Sequence, residues 1–204
     1  MRAVIISNGS ITDYEFIKSQ INTDDTIICA DGGYDHAKKM GITPNILIGD
    51  FDSITKIPDD IPCMRHPSAK DLTDTELAIE YTRSKGFKDF LLLASTGSRM
   101  DHTLTNILLL KTFVEQKETA VIINENNKIM MTDSQITITE LPGTIISLIP
   151  ITNCTGVTTN NLKYPLSDAT MHVGKGVGIS NIMLEDNATI SVKSGLLIIT
   201  VSDD

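Results

Sequence analysis

As far as Ile123 the chain repeats one pattern: a short apolar run, a turn of small or acidic residues, then a stretch with helical spacing. The apolar runs are Ala3–Ser7, Thr26–Ala30, Ile46–Ile48, Phe90–Ala94 and Ala120–Ile123. Runs this short, without polar alternation, predict strands buried on both faces, and so a parallel sheet covered by helices. Helices are predicted over Thr12–Gln20, Tyr34–Met40, Thr73–Lys85 and Asp101–Lys117. Gly41 and Gly86 stand where the second and third should stop. Thr73 and Glu76 have the spacing of a capping box at the start of the third.

The pattern changes around Asn124–Asn127. From Lys128 onward helical spacing fades and short β-branched runs follow, at Gln135–Glu140, Thr144–Ile149, Thr189–Lys193 and Leu197–Val201. Turn pairs such as Pro142-Gly143 separate them, which predicts an all-β sandwich or barrel. The expectation is an α/β domain over residues 1–125 and an all-β domain over residues 126–204, within a chain of 204 residues.

Composition narrows the partners. A formal net charge of −9 repels a phosphate backbone, so nucleic acid is not expected, and a phosphate-handling site would need divalent cations as intermediaries. The odd number of cysteines, Cys29, Cys63 and Cys154, without a CxxC pair, suits free thiols in a reducing cytoplasm. No apolar stretch approaches the roughly 20 residues of a membrane helix, and no signal-peptide core precedes the first strand.

Candidate chemistry gathers where strands of the first half end. Asp50 and Asp52 follow the strand Ile46–Ile48 with one residue between them, so both can face one cation; a polar turn explains them equally. Lys70-Asp71-Leu72-Thr73-Asp74 precedes a helix, where capping and the macrodipole favour acids, and where Lys70 can also meet a phosphate. Thr96-Gly97-Ser98-Arg99-Met100-Asp101-His102 joins a strand to a long helix. Small residues there let backbone N–H groups approach phosphates, and Arg99 adds a planar donor. His102 reads equally as a surface histidine. Asp31-Gly32-Gly33 makes a similar, weaker turn. No Walker A sequence is present, and Gly174-Lys-Gly-Val-Gly178 has no helix after it.

The order of these motifs, followed by an all-β region, resembles the thiamine pyrophosphokinase family. Asn161-Leu-Lys-Tyr-Pro-Leu166 and Ser180-Asn181 resemble that family's later segments. The resemblance implies a Rossmann-like α/β ATP-binding domain, a β-sandwich domain that binds thiamine, Mg²⁺ as cofactor, and a homodimer with the active site at the subunit interface. It implies that Asp50, Asp52 and Asp74 hold the metal and act in catalysis, with Asp101 as a further catalytic candidate that would orient or deprotonate the accepting hydroxyl. Asp31, Lys70, Asp71, Thr96, Gly97, Arg99, Asp101 and His102 then belong to the nucleotide and phosphate region, and Ser180 and Asn181 to the thiamine side. Ser98 replaces a second glycine common in the family, and Ile182 stands where bacterial members often carry Glu. Two other readings stay open on the residues alone: an aspartate-dependent phosphohydrolase and a nucleotide sensor without turnover.

Overall fold

The computed structural model describes residues 1–51, 59–66 and 71–203. The chain divides into two compact units, Met1–Glu125 and Asn126–Asp204.

In the first unit β1 (Arg2–Ile6), α1 (Tyr14–Ser19), β2 (Thr26–Ala30), α2 (Gly33–Lys39), β3 (Ile46–Gly49) and β4 (Cys63–Arg65) are followed by α3 (Asp74–Ser84), β5 (Asp89–Leu93), α4 (Met100–Glu115) and β6 (Thr119–Ile123). The strands lie in the order β6-β5-β1-β2-β3-β4, and each of these pairings is parallel. The side chains of the inner strands β5, β1, β2 and β3 are buried on both sides, with Val4, Ile5, Leu47, Ile48, Leu91 and Leu92 at 0% exposure. That accounts for the continuous apolar runs. On one face Val4, Ile6, Cys29 and Leu91 pack with Ile17 of α1 and with Ala37 and Met40 near α2. On the other, α4 docks through Phe113, whose ring lies 4.8 Å from that of Phe90. The short edge strand β4 is absent from the sequence expectation; its pattern is exposed–intermediate–exposed, so it carries no apolar signal.

The strand order reverses at β1. The chain steps outward from β1 through β2 and β3, then returns to place β5 on β1's other side. In open parallel sheets the carboxyl ends at such a reversal diverge and leave a crevice.

The second unit holds β7 (Asn127–Thr132), β8 (Gln135–Thr139), β9 (Ile145–Pro150), β10 (Cys154–Asn160), β11 (Ala169–Met171), β12 (Asn181–Ile182), β13 (Asn187–Ser191) and β14 (Leu197–Ser202). Within it, antiparallel strands run β12-β9-β14-β7 in one sheet and β11-β10-β13-β8 in the other. Ile138, Leu148, Val157, Ile190, Leu197 and Ile199 share one core between them. The fold is therefore α/β followed by a β sandwich. Strand β10 was not foreseen: its sequence Cys-Thr-Gly-Val-Thr-Thr-Asn is polar, and its register shifts between Cys154 and Val157. Among the described residues no helix is long and apolar enough to cross a membrane.

Candidate active site

A cleft of about 660 Å³ opens at the carboxyl ends of β1, β2, β3 and β5, where the strand order reverses. Four strand-end loops and the first turns of α3 and α4 line it: Ser7–Ser10, Ala30-Asp31, Asp50, Leu72–Thr75, Ala94–Arg99, and His102, Thr103 and Asn106.

Three of these strands leave the sheet through a non-glycine residue in the left-handed region: Asp31 at φ 45°, Phe51 at 65° and Ala94 at 50°. Such residues are strained and persist only where the surroundings fix them. Asp31 is held by its N–H to Ile48 O at 2.8 Å, and its carbonyl accepts from Tyr34 N–H at 3.2 Å. The loops also press together. A Cβ on Gly9 would lie 2.3 Å from the carbonyl oxygens of both Ala94 and Thr96, and one on Gly33 would lie 2.0 Å from Ile6 O. Only glycine allows either approach.

The floor is polar and satisfied. Ser7 Oγ lies 2.9 Å from Thr75 Oγ1 and 3.3 Å from Ser95 Oγ, and Asn106 donates to Ser95 O at 2.8 Å. Thr103 Oγ1 receives the Gly97 N–H at 3.0 Å and donates to Gly97 O at 3.1 Å, tying the loop to the helix it precedes. Asn124 donates to Thr96 Oγ1 at 2.9 Å.

The two helix starts differ. α3 carries the expected capping box: Glu76 N–H donates to Thr73 Oγ1 at 3.2 Å, and Thr73 N–H to the Glu76 carboxylate at 2.8 Å. At α4 the N-cap residue is Arg99, and it makes no side-chain cap hydrogen bond. Arginine carries no acceptor, so the first N–H groups of this 16-residue helix lack a cap from it at the edge of the cleft.

The cleft brings together most of the candidate residues, namely Asp31, Asp50, Asp74, Thr96, Gly97, Arg99 and His102. Asp52 and Lys70 lie outside the described residues. Asp71 is exposed and outside the cleft lining. Asp101 is exposed beside the rim, where Arg99 grips its two oxygens at 3.2 and 2.5 Å. The Arg99 hydrogen bonds hold its carboxyl at about 2, and Asp101 in turn raises Arg99. The sequence reading missed the Ser7–Ser10 loop. Its signal was available: Asn8-Gly9 follows β1 as Asp31-Gly32 follows β2.

Asp31 is the unusual member. It is 8% exposed, and its Oδ1 is the one buried side-chain oxygen or nitrogen without a hydrogen-bond partner among the described residues. An orphaned carboxylate oxygen facing a polar cleft is costly unless a cation or donor meets it. Asp31, Asp50 and Asp74 are all hard oxygen donors, the chemistry Mg²⁺ requires. Among the described residues no three His, Cys, Asp or Glu side chains form a ready cage. Mg²⁺ commonly uses one or two carboxylates and completes its shell with substrate phosphates and water, so the donor set fits it.

Ser180 and Asn181 lie in the second unit. Ser180 is exposed at φ 55°, with its N–H bonded to Ser147 Oγ at 3.0 Å. Asn181 is 2% exposed. Its Oδ1 accepts from Tyr164 N–H at 2.9 Å and Ile182 N–H at 3.0 Å, and its amide donates to Tyr164 O at 2.7 Å. Its polar atoms are thus engaged in clamping the Tyr164 segment.

Comparison with known proteins agrees with this geometry. The family model "Thiamin pyrophosphokinase, catalytic domain" matches residues 17–123, and "Thiamin pyrophosphokinase, vitamin B1 binding domain" matches residues 133–197. The chain is 32% identical over 181 residues to thiamine pyrophosphokinase of Bacillus subtilis (strain 168), covering 80% of this chain and 81% of that one. It is 25% identical over 166 residues to thiamin pyrophosphokinase 1 of Caenorhabditis elegans, covering 76% and 68%. The crystal structure of thiamine pyrophosphokinase from Bacillus subtilis superposes with a TM-score of 0.91 at 27% identity, covering 100% of both chains. With a family model matching over half of its length and the fold shared end to end, the chain belongs to the thiamin pyrophosphokinase family.

Proposed function

We propose that this protein transfers a diphosphate from ATP to the hydroxyl of thiamine, giving thiamine diphosphate and AMP. The observation that carries the reading is the make-up of the cleft lining, which joins phosphate-binding backbone to three aspartates. The Thr96–Arg99 loop and the start of α4, where Arg99 supplies no side-chain cap, suit phosphate oxygens. Asp31, Asp50 and Asp74 line the same cleft and offer the oxygen donors that would suit a cation paired with those phosphates.

The reaction forms a bond from the thiamine hydroxyl oxygen to the β-phosphorus of ATP while the bond to the α–β bridging oxygen breaks, AMP leaves, and the hydroxyl proton is released to solvent. Asp50 and Asp74, with Asp31 lining the same cleft and Asp52 as the further proposed ligand, would hold Mg²⁺, which would offset charge on the diphosphate. Thr96, Gly97 and the α4 start hold the phosphates. Arg99 has five N–H donors; Asp101 fixes the plane of its guanidinium and leaves others for phosphate oxygens. Through these two hydrogen bonds Asp101 orients Arg99. His102 lines the outer rim.

The match to a vitamin B1 binding domain supports thiamine recognition by the β unit, with Ser180 as the exposed contact and Asn181 as the clamp behind it. We place the enzyme in the cytoplasm as a homodimer. The free thiols Cys29, Cys63 and Cys154 support the first. The exposed Met100, Leu104 and Leu108, spaced four apart on α4, support the second.

Product analysis with ATP, Mg²⁺ and thiamine tests the reading. Equal amounts of AMP and thiamine diphosphate are expected. Phosphate release without AMP would replace it with the phosphohydrolase reading, and ATP binding without turnover on thiamine with the sensor.

A further inference from the structure

The Asn8–Ser10 wall of the cleft is fixed from two sides. On the β5 side, Gly9 N–H donates to Ala94 O at 2.6 Å and Ser10 N–H to Thr96 O at 2.9 Å. On the opposite side, the Gly9 carbonyl meets Nε2 of His36 on α2 at 2.8 Å. A carbonyl only accepts, so Nε2 carries the proton. Nδ1 is then an acceptor, and the Tyr14 hydroxyl of α1 donates to it at 2.9 Å. Lys39 Nζ donates in turn to the Tyr14 hydroxyl at 3.2 Å. The chain runs in one direction, Lys39 to Tyr14 to His36 to Gly9, so each bond polarises the next.

This chain keeps the neutral ring. Burial pushes the His36 imidazole below its ordinary range, Lys39 adds to that, and the Gly9 carbonyl and Asp35 oppose it. None of Lys39, Tyr14 or His36 lines the cleft. Their effect reaches it because Gly9 has no slack, its Cβ position lying 2.3 Å from both Ala94 O and Thr96 O. A movement of Gly9 is passed directly to the loop that carries Thr96 and Gly97.

We propose that His36 is a positioning residue for the nucleotide site: by holding the Gly9 carbonyl it sets Asn8–Ser10 against Thr96-Gly97, and so sets the affinity of the cleft for the ATP polyphosphate. The inference rests on the reading of the cleft as the ATP site. His36→Leu removes the donor. His36→Gln keeps an amide nitrogen that reaches the position of Nε2. Tyr14→Phe keeps the ring contact and removes the partner of Nδ1.

The test is Mg-ATP binding by calorimetry, with the KM for ATP and for thiamine measured beside it. His36→Leu is expected to weaken ATP about tenfold and leave the thiamine KM within about twofold. His36→Gln is expected to recover to within about threefold of wild type, and Tyr14→Phe to weaken ATP about threefold. Wild-type ATP affinity in His36→Leu, a Gln variant as weak as the Leu variant, or a parallel rise of both KM values would overturn the inference. If His36→Leu does not fold, unchanged ATP affinity in Tyr14→Phe overturns it. Wild-type protein that binds no ATP removes the nucleotide reading and this inference together; binding that the variants share removes the inference alone.

Discussion

Two buried polar side chains, Asp31 and Asn181, separate the two units more sharply than their secondary structure does. Asn181 makes three hydrogen bonds to backbone groups of its own unit. Asp31 sits at φ 45° with one carboxylate oxygen that the fold leaves without a partner. A buried polar group that is fully satisfied stabilises a local shape, whereas one left unmet, on strained backbone, costs stability that a ligand can return. The contrast supports the proposal that the charged chemistry lies in the α/β cleft, while Asn181 holds the Tyr164 segment in shape.

Substitution can break the contrast, and the largest effect belongs to Asp31. Asp31→Asn should lower kcat/KM at least about 100-fold, while the thermal midpoint without ligand stays level or rises, because a neutral amide costs less to bury there. A large loss of stability with activity kept would reverse the assignment. Asn181→Ala should do the opposite. It leaves two backbone N–H groups and a carbonyl unmet, so chemical denaturation should report a loss of about 2–3 kcal/mol, with ATP affinity unchanged. Thr73→Ala removes one side of the α3 capping box and should cost about 1 kcal/mol by the same measurement, with a modest rise in the Mg²⁺ requirement because Asp74 opens that helix.

The smallest effect is at the rim. The carboxyl of Asp101 is held at about 2, below its ordinary 3.8, so its contribution is present above the ordinary value and is lost as pH falls through about 2. Both partners are exposed, so Arg99→Ala should leave stability almost unchanged and return the Asp101 titration, followed by NMR, toward its ordinary range.

The sequence made the α/β unit legible because burial on both faces turns its central strands into unbroken apolar runs, and because Thr73 and Glu76 make a cap that needs no tertiary partner. Edge strand β4 and the bulged, threonine-rich β10 gave no such signal, since neither buries a continuous apolar face. Motif order pointed to Asp31, Asp50, Asp74, Thr96, Gly97 and Arg99. It could not distinguish the Ser7–Ser10 wall from an ordinary turn, because its meaning comes from contacts with Ala94 and Thr96 far along the chain. The hydrogen bonds of Asn181 were hidden for the same reason: its partners at Tyr164 lie 17 residues away and are brought to it only by the fold.

Hydrogen exchange with and without Mg-ATP tests the central claim most directly. The account predicts new protection at Ser7–Ser10, Asp31–Tyr34 and Ser95–Thr103, and an unchanged pattern around Tyr164 and Asn181. Protection confined to residues 126–203, with the α/β loops unaffected, would contradict it.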